Sequence, residues 1–277
     1  MGDRSELLFV FVMAGGSGER FWPLSRTRTP KHLLRLVSEK TLLAEAVDRA
    51  RALVPLEQVF ILTNRTQVEG CLEALPDFPP SQILAEPAKR DTAPACAFAT
   101  AYCRARQKEG ICALFPADAV IKNVESFCRN VWDAAELAEK NDVFVTFAIR
   151  PTYPSTGFGY LELGKSLPSG RNGSRIWQVQ RFVEKPRLEV AREYVKSGNY
   201  AWNSGMFVWK AEFFHAECRR LNIELASFIE EFPTGDFSSY LEARFPKLPK
   251  ISVDFAIMEK AKDVCAIGAD FDWDDLG

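Results

Sequence analysis

Short apolar runs alternate along the chain with longer amphipathic stretches. Leu7–Met13 is unbroken apolar and short enough for a buried parallel strand. Thr41–Leu53 carries apolar residues at helical spacing, and Pro55 stops it. Val59–Leu62 predicts a second strand, Asn64 a cap for a helix reaching Leu75, and Pro76–Pro80 a loop. Strands follow at Ile83–Ala85, Cys112–Phe115 and Val143–Phe147, with helices at Ala93–Gln107 and Val124–Glu139 between them. This alternation implies parallel βαβ units in a doubly wound α/β sheet. In such a sheet ligands gather at the carboxyl ends of the strands. The segment after Met13, Glu86, Asp118 and the stretch Arg150–Tyr160 each follow a predicted strand, so all should meet on one rim.

The second half changes character. Tyr160–Leu163 and Ile176–Val183 read as strands joined by a Gly/Ser-rich solvent loop, Ser169–Ser174. Leu188–Lys196 predicts a helix, Gly205–Trp209 a strand, Glu212–Glu231 a long helix, and Ser252–Lys260 a further helix with Ser252 as its cap. No internal repeat or interdomain linker is visible, so residues 1–277 read as a single domain.

The first strand breaks into Ala14-Gly15-Gly16-Ser17-Gly18, followed by Glu19-Arg20 and later Lys31. Without Cβ atoms the backbone can lie against a ligand and aim several N–H groups at it. Arg20 offers a planar fork and Lys31 a mobile point charge, so the stretch suits a polyphosphate. It is not a dinucleotide fingerprint, because Phe21 stands where the third glycine is needed. It is not a P-loop, because no Gly-Lys-Ser/Thr closes it. Gly159–Ser166 (GYLELGKS) does match that second pattern letter for letter. Its context is a strand, and Pro168 and Gly170 forbid the helix that must follow.

Composition changes this picture little. The chain has 277 residues, 47% hydrophobic and 26% charged, as ordinary soluble proteins do. A net charge of −2 with dispersed Lys and Arg does not suggest a nucleic-acid or anionic-membrane partner. No apolar segment reaches transmembrane length. The seven cysteines are odd in number, lack a CxxC and sit mostly in apolar periodic context. They read as small buried hydrophobes in a reducing cytoplasm. Leu7–Met13 is not a signal peptide, since cleavage would destroy the loop behind it.

Six further places carry candidate chemistry. In Glu86–Ala95, Arg90 stands before a helix and could meet phosphate or base, and Thr92 could cap that helix; a charged capping segment explains the residues equally well. Asp118 follows a strand directly, as a Mg²⁺ carboxylate or a turn aspartate would. Gly157 and Gly159 flank Phe158 ahead of Tyr160, where a sugar could approach the backbone or the strand could simply bend. Glu184-Lys185 ends a strand with a carboxylate for sugar hydroxyls and an ammonium for a phosphate, or forms a surface ion pair. Asn203, two residues before Gly205, offers both a donor and an acceptor. The terminal Asp272, Asp274 and Asp275 are a metal cluster or an acidic tail.

Taken in order, GGSGERFWPLSR with Pro30-Lys31, EPAKRDTAPA, PAD, TGFGY, FVEKP, WNSGMF and WDDLG resemble the blocks of sugar-1-phosphate nucleotidyltransferases of the mannose-1-phosphate guanylyltransferase type. The resemblance implies a nucleotide-diphospho-sugar transferase, GT-A-like fold: a Rossmann-like mixed, mostly parallel sheet flanked by helices. It implies a nucleotide-binding half over about residues 1–150 and a sugar-phosphate half over about 151–277. The implied substrates are GTP and mannose 1-phosphate, the implied cofactor is Mg²⁺, and a homodimer is the family-level expectation. The implied nucleotide contacts are Ala14, Gly15, Gly16, Ser17, Gly18, Glu19, Arg20, Glu86, Arg90, Thr92 and Asp118. The implied sugar-phosphate contacts are Gly157, Tyr160, Glu184, Lys185, Asn203 and Gly205. Arg20, Lys31 and Lys185 fall to catalysis, and Asp118 with Asp275 to the metal. Two positions depart from the pattern: Asp91 stands where Asn is usual, and Ala119 where His is usual. The family's small C-terminal β-helical region is also absent from these residues. A different base or sugar, or a nucleotide-sugar-binding regulatory subunit without catalysis, remain as alternatives.

Overall fold

In the computed structural model, residues 4–16, 25 and 30–276 are described. The elements, in chain order, begin with β1 (Leu8–Met13), α1 (Leu42–Arg51), β2 (Val59–Asn64), α2 (Val68–Ala74), β3 (Ile83–Glu86) and α3 (Thr92–Arg106). Next come β4 (Ile111–Pro116), β5 (Ala119–Ile121), α4 (Val124–Lys140), β6 (Phe144–Ile149), β7 (Tyr160–Leu167) and β8 (Ile176–Val183). The last are α5 (Leu188–Ser197), β9 (Tyr200–Lys210), α6 (Ala211–Leu221), α7 (Ile223–Glu230), α8 (Ser238–Arg244), β10 (Val264–Gly268) and β11 (Trp273–Asp275).

Nine strands form one sheet in the order β3-β2-β1-β4-β9-β6-β10-β8-β7. The pairs β3–β2, β2–β1, β1–β4 and β6–β10 are parallel; β9 runs against β4 and β6, and β8 against β10 and β7. Strands from both halves of the chain therefore interleave, with β9 inserted between β4 and β6. Side chains of β1 alternate between two cores: Phe9 and Phe11 face α3, α6 and α7, while Leu8, Val10 and Val12 face α1 and α4. That two-sided burial is why the strand reads as a continuous apolar run.

Several predicted elements differ. The long helix over 212–231 is broken at Asn222, whose extended backbone (φ −155°) ends α6 and whose Oδ1 accepts from Leu225 N at 3.2 Å to start α7. The apolar periodicity continues across the break, so spacing does not reveal it. The helix predicted over 252–260 is a π-helical turn, Asp254–Met258. Asn64 makes no side-chain cap; a short 3₁₀ turn separates it from α2. Asp91, not Thr92, caps α3. The strand predicted at 205–209 begins earlier, at Tyr200. The Walker-like GYLELGKS lies in β7, as its context required.

Candidate active site at the carboxyl rim of the sheet

The ends of β1, β3 and β4 open onto a first cavity of about 320 Å³. Its walls include Gly15, Gly16, Lys31, Glu86, Thr92 and Asp118. Backbone bonds fix the start of the glycine loop: Ala14 N donates to Leu62 O at 2.7 Å, and Thr63 Oγ1 to Ala14 O at 2.8 Å. A Cβ at Gly15 or Gly16 would meet no neighbour among the described residues, which leaves room there for a ligand to approach. The expectations for Ser17, Gly18, Glu19 and Arg20 lie outside the described residues.

Burial pushes the Glu86 carboxyl up to about 8. His32, on the same wall, is pushed down to about 4 by burial, only partly offset by the Asp118 charge. Its buried Nε2 has no hydrogen-bond partner among the described residues. Sequence reading passed over His32 beside the more obvious Lys31; Lys89 and Lys250, also on this wall, were missed because isolated lysines carry no pattern.

A second cavity of about 190 Å³ adjoins the first and shares Met13, Thr92, Pro116 and Asp118 with it. Gly157, Phe158, Gly159, Glu184, Asn203, Gly205, Asp254 and Asp275 border it. Asn203 is aimed by Thr146, whose hydroxyl donates to its Oδ1 at 2.8 Å, leaving the amide NH₂ for a ligand. The β6–β9 register shifts between Thr146 and Ala148, and Gly205 sits in that bulge with φ +71°. There a side chain would be strained. Gly159 lets Glu184 come close: a Cβ there would lie 2.7 Å from Glu184 Oε2 and would displace that carboxylate. Phe158 packs edge-on against Trp202 and Trp273, at 5.0 and 5.4 Å between ring centroids, tying this loop to β11.

Four described residues of the expected set, Ala14, Arg90, Tyr160 and Lys185, line neither cavity, and Ala14 is buried at the end of β1. The Arg90 guanidinium donates to the Pro246 carbonyl. Tyr160 is buried, with its hydroxyl donating to Ser155 O at 2.9 Å, so it supports the loop from below. Lys185 stands at the rim, 60% exposed, with φ +45° and an ion pair to Glu184.

At the junction of the cavities Asp118 and Asp275 meet. The two-stranded pairing of β11 with β5 sets Asp275 opposite Ala119, one residue beyond Asp118. The ammonium of Lys31 bridges the two carboxylates, at 2.9 Å from Asp118 Oδ2 and 3.0 Å from Asp275 Oδ1. Among the described residues no group of three or more His, Cys, Asp or Glu surrounds one point. Two carboxylates within reach of one cation nevertheless fit a Mg²⁺ that takes its other ligands from phosphate and water. Asp272 and Asp274 are exposed.

The two departures from the family pattern have local explanations. Asp91 adopts φ +71° with ψ −173°, a strained combination otherwise nearly confined to glycine, and its Oδ1 accepts from Thr92 N at 2.8 Å, which ties that backbone to the start of α3. Ala119 acts through its backbone: it pairs with Asp275, and its carbonyl accepts from Arg49 Nη2 at 2.8 Å.

The sequence profile of the nucleotidyl transferase family matches residues 10–277. A mannose-1-phosphate guanylyltransferase of Salmonella montevideo is 36% identical over 281 residues, covering 98% of this chain and 58% of that protein. The chain thus spans little more than half the length of that relative. A crystal structure from Thermus thermophilus, described as a mannose-1-phosphate geranyltransferase, superposes with a TM-score of 0.87 at 34% identity, covering 98% of this chain and 76% of that one. A UDP-glucose pyrophosphorylase from Acinetobacter baumannii, at 15% identity and a TM-score of 0.58 over 97% of this chain and 88% of that one, shares the fold. The mixed, mostly parallel sheet is thus the nucleotide-diphospho-sugar transferase fold.

Proposed function

The chain belongs to the nucleotidyl transferase family, and on that premise we propose that it transfers the guanylyl group of GTP to mannose 1-phosphate, giving GDP-mannose and pyrophosphate. One observation carries the reading: two adjoining cavities share Asp118, and a carboxylate pair with a bridging ammonium stands between them. A triphosphate in the first cavity and a sugar phosphate in the second would meet there.

An oxygen of the sugar phosphate attacks the α-phosphorus in line, the bond to the β-phosphate oxygen breaks, and pyrophosphate leaves with that electron pair. No protein nucleophile is needed, because the sugar phosphate is already an anion. The protein's task is to bring two anions together and hold them aligned. In this proposal the backbone of Ala14, Gly15, Gly16 and Gly18, with Arg20, holds the β- and γ-phosphates. Lys31 and Lys185 offset charge on the reacting phosphates. Gly157, Glu184 and Asn203 hold the sugar. Mg²⁺ held by Asp118 and Asp275 would supply charge stabilisation on the phosphate oxygens.

Glu86 supports guanine as the base. Among the nucleobases, guanine alone presents two adjacent donors, N1–H and the 2-amino group, to a carboxylate. Uracil and thymine would set carbonyl oxygens beside it, and adenine a ring acceptor. A reducing, cytoplasmic setting is part of the same proposal, since six of the seven thiols are buried.

The test is pyrophosphate release with Mg²⁺, scanning four nucleoside triphosphates against mannose 1-phosphate and glucose 1-phosphate. A strong signal confined to GTP with mannose 1-phosphate is expected. A strong signal elsewhere would overturn the substrates and keep the chemistry. Silence, with GDP-mannose still binding in calorimetry, would point to a regulatory subunit.

A further inference from the structure

We propose that Asp254 is a sugar-recognition residue: with Glu184 it forms a pair of carboxylates, on two different elements, that accept hydrogen bonds from the hydroxyls of the hexose phosphate. This rests on the transferase reading above.

Asp254 borders the second cavity together with Glu184, Asn203 and Gly159. It opens the π-helical turn Asp254–Met258. Such turns are uncommon and are frequent at functional sites. This one sends Ala256, Ile257 and Met258 into the core and leaves Phe255 half exposed, so its first residue faces the cavity.

The turn is tied to the nucleotide side. Val253 N donates to Thr92 Oγ1 at 2.8 Å, and Ala93 N to Ile251 O at 3.1 Å. Thr92 opens α3 and borders both cavities. The segment leading into Asp254 is thereby tied to the start of α3.

The carboxylate lacks a structural employment. Among the described residues it accepts from no donor but its own backbone N–H. Burial, and secondarily the Glu184 charge, push it up to about 7. Asp254 is half-buried, and a poorly paired acid beside a second acid is costly to keep. A polyol removes that cost, because its hydroxyls are donors and a carboxylate is an acceptor with several lone pairs. Glu184 arrives from the end of β8 and lies close against Gly159, where a Cβ would be 2.7 Å from its Oε2. Asp254 arrives from the π-helical turn. Acceptors fixed on separate elements, with the Asn203 amide as donor, make binding depend on the configuration of the sugar hydroxyls.

The experiment compares wild type with D254N and D254A against mannose 1-phosphate, glucose 1-phosphate and mannose 1-phosphates lacking single hydroxyls. Loss of a charge-assisted bond predicts a rise of about 10- to 100-fold in KM for mannose 1-phosphate in D254A, with KM for GTP changed less than about 2-fold. One deoxy analogue should lose affinity for the wild type and lose nothing further in the variant. An unchanged KM, equal losses for GTP and sugar, or penalties that add for every analogue would overturn the role. Calorimetric binding of mannose 1-phosphate reads the same contact without turnover. If the wild type binds but transfers nothing, the transferase reading fails, and weaker binding by D254A still supports Asp254; equal binding by both proteins overturns it.

Discussion

Lys31 Nζ lies 3.0 Å from Asp275 Oδ1, closing a gap of 244 residues in sequence. The same ammonium, almost wholly buried, also bonds Asp118. It stands where a divalent cation would balance the same two charges. Metal and ammonium should therefore compete for this pair, and an arriving triphosphate would give Lys31 an anionic partner besides the two carboxylates. Removing one positive charge beside the pair should tighten nucleotide-free Mn²⁺ binding by about 10-fold in K31M. The free Mn²⁺ signal in electron paramagnetic resonance measures it. Equal binding by K31M and wild type would show that the ammonium does not share the site.

Asp275 is held by three residues of backbone pairing, not by deep packing. D275N keeps shape and pairing and removes one negative charge. Turnover should fall by about 100-fold, while KM for the sugar phosphate changes less than about 3-fold, because the lost charge matters most to the transition state. Steady-state kinetics at saturating Mg²⁺ decide it. Equal effects on both parameters would argue against a metal-holding role.

The parts of the fold legible in sequence are those whose burial is two-sided. β1, β2 and β4 are apolar runs because α3 packs on one face and α1 and α4 on the other. β9 was only half legible: its first residues include Asn203 and Ser204, polar because they face the cavity, not because the strand ends there. β5 and β11 are three residues each and exist through pairing with one another, which no local pattern records. β10 did leave a signal, the apolar run Val264–Ile267, which was passed over. In the site, the glycine loop, Asp118 and Glu184 follow strands and were readable by position. Asp254 was not, because one acid inside Val253–Met258 looks like the polar face of a helix. Arg90 misled in the other direction: a cation before a helix suggested phosphate, and its partner is the Pro246 carbonyl, 156 residues away.

Asp91 places a carboxylate at the start of α3, on the wall of the first cavity. There it caps the helix and occupies the very end that favours an anionic ligand. D91N keeps a capping oxygen and the side chain's shape while removing the charge. KM for GTP should fall by about 2- to 10-fold, with thermal stability changed by less than about 1 kcal/mol. A raised KM would mean that the charge itself serves the nucleotide.

Glu86 supplies a pH dependence with a definite sign. Its folded value is about 8, against 4.5 for an ordinary glutamate, and burial is the cause. The folded protein holds this proton more tightly than the unfolded chain, so its contribution to stability is fully present below about 4.5. That contribution is lost as pH rises through about 8. E86Q cannot ionise and should gain on the wild type over this window, by about 3–6 °C in Tm at pH 9. Binding should move the other way. Guanine donors favour the ionised carboxyl, so GTP affinity should rise as pH approaches 8, and binding near pH 7 should release a proton. Calorimetry in buffers of different ionisation enthalpy counts that proton. A GTP enthalpy independent of buffer would remove Glu86 from contact with the base, whatever the Tm series shows.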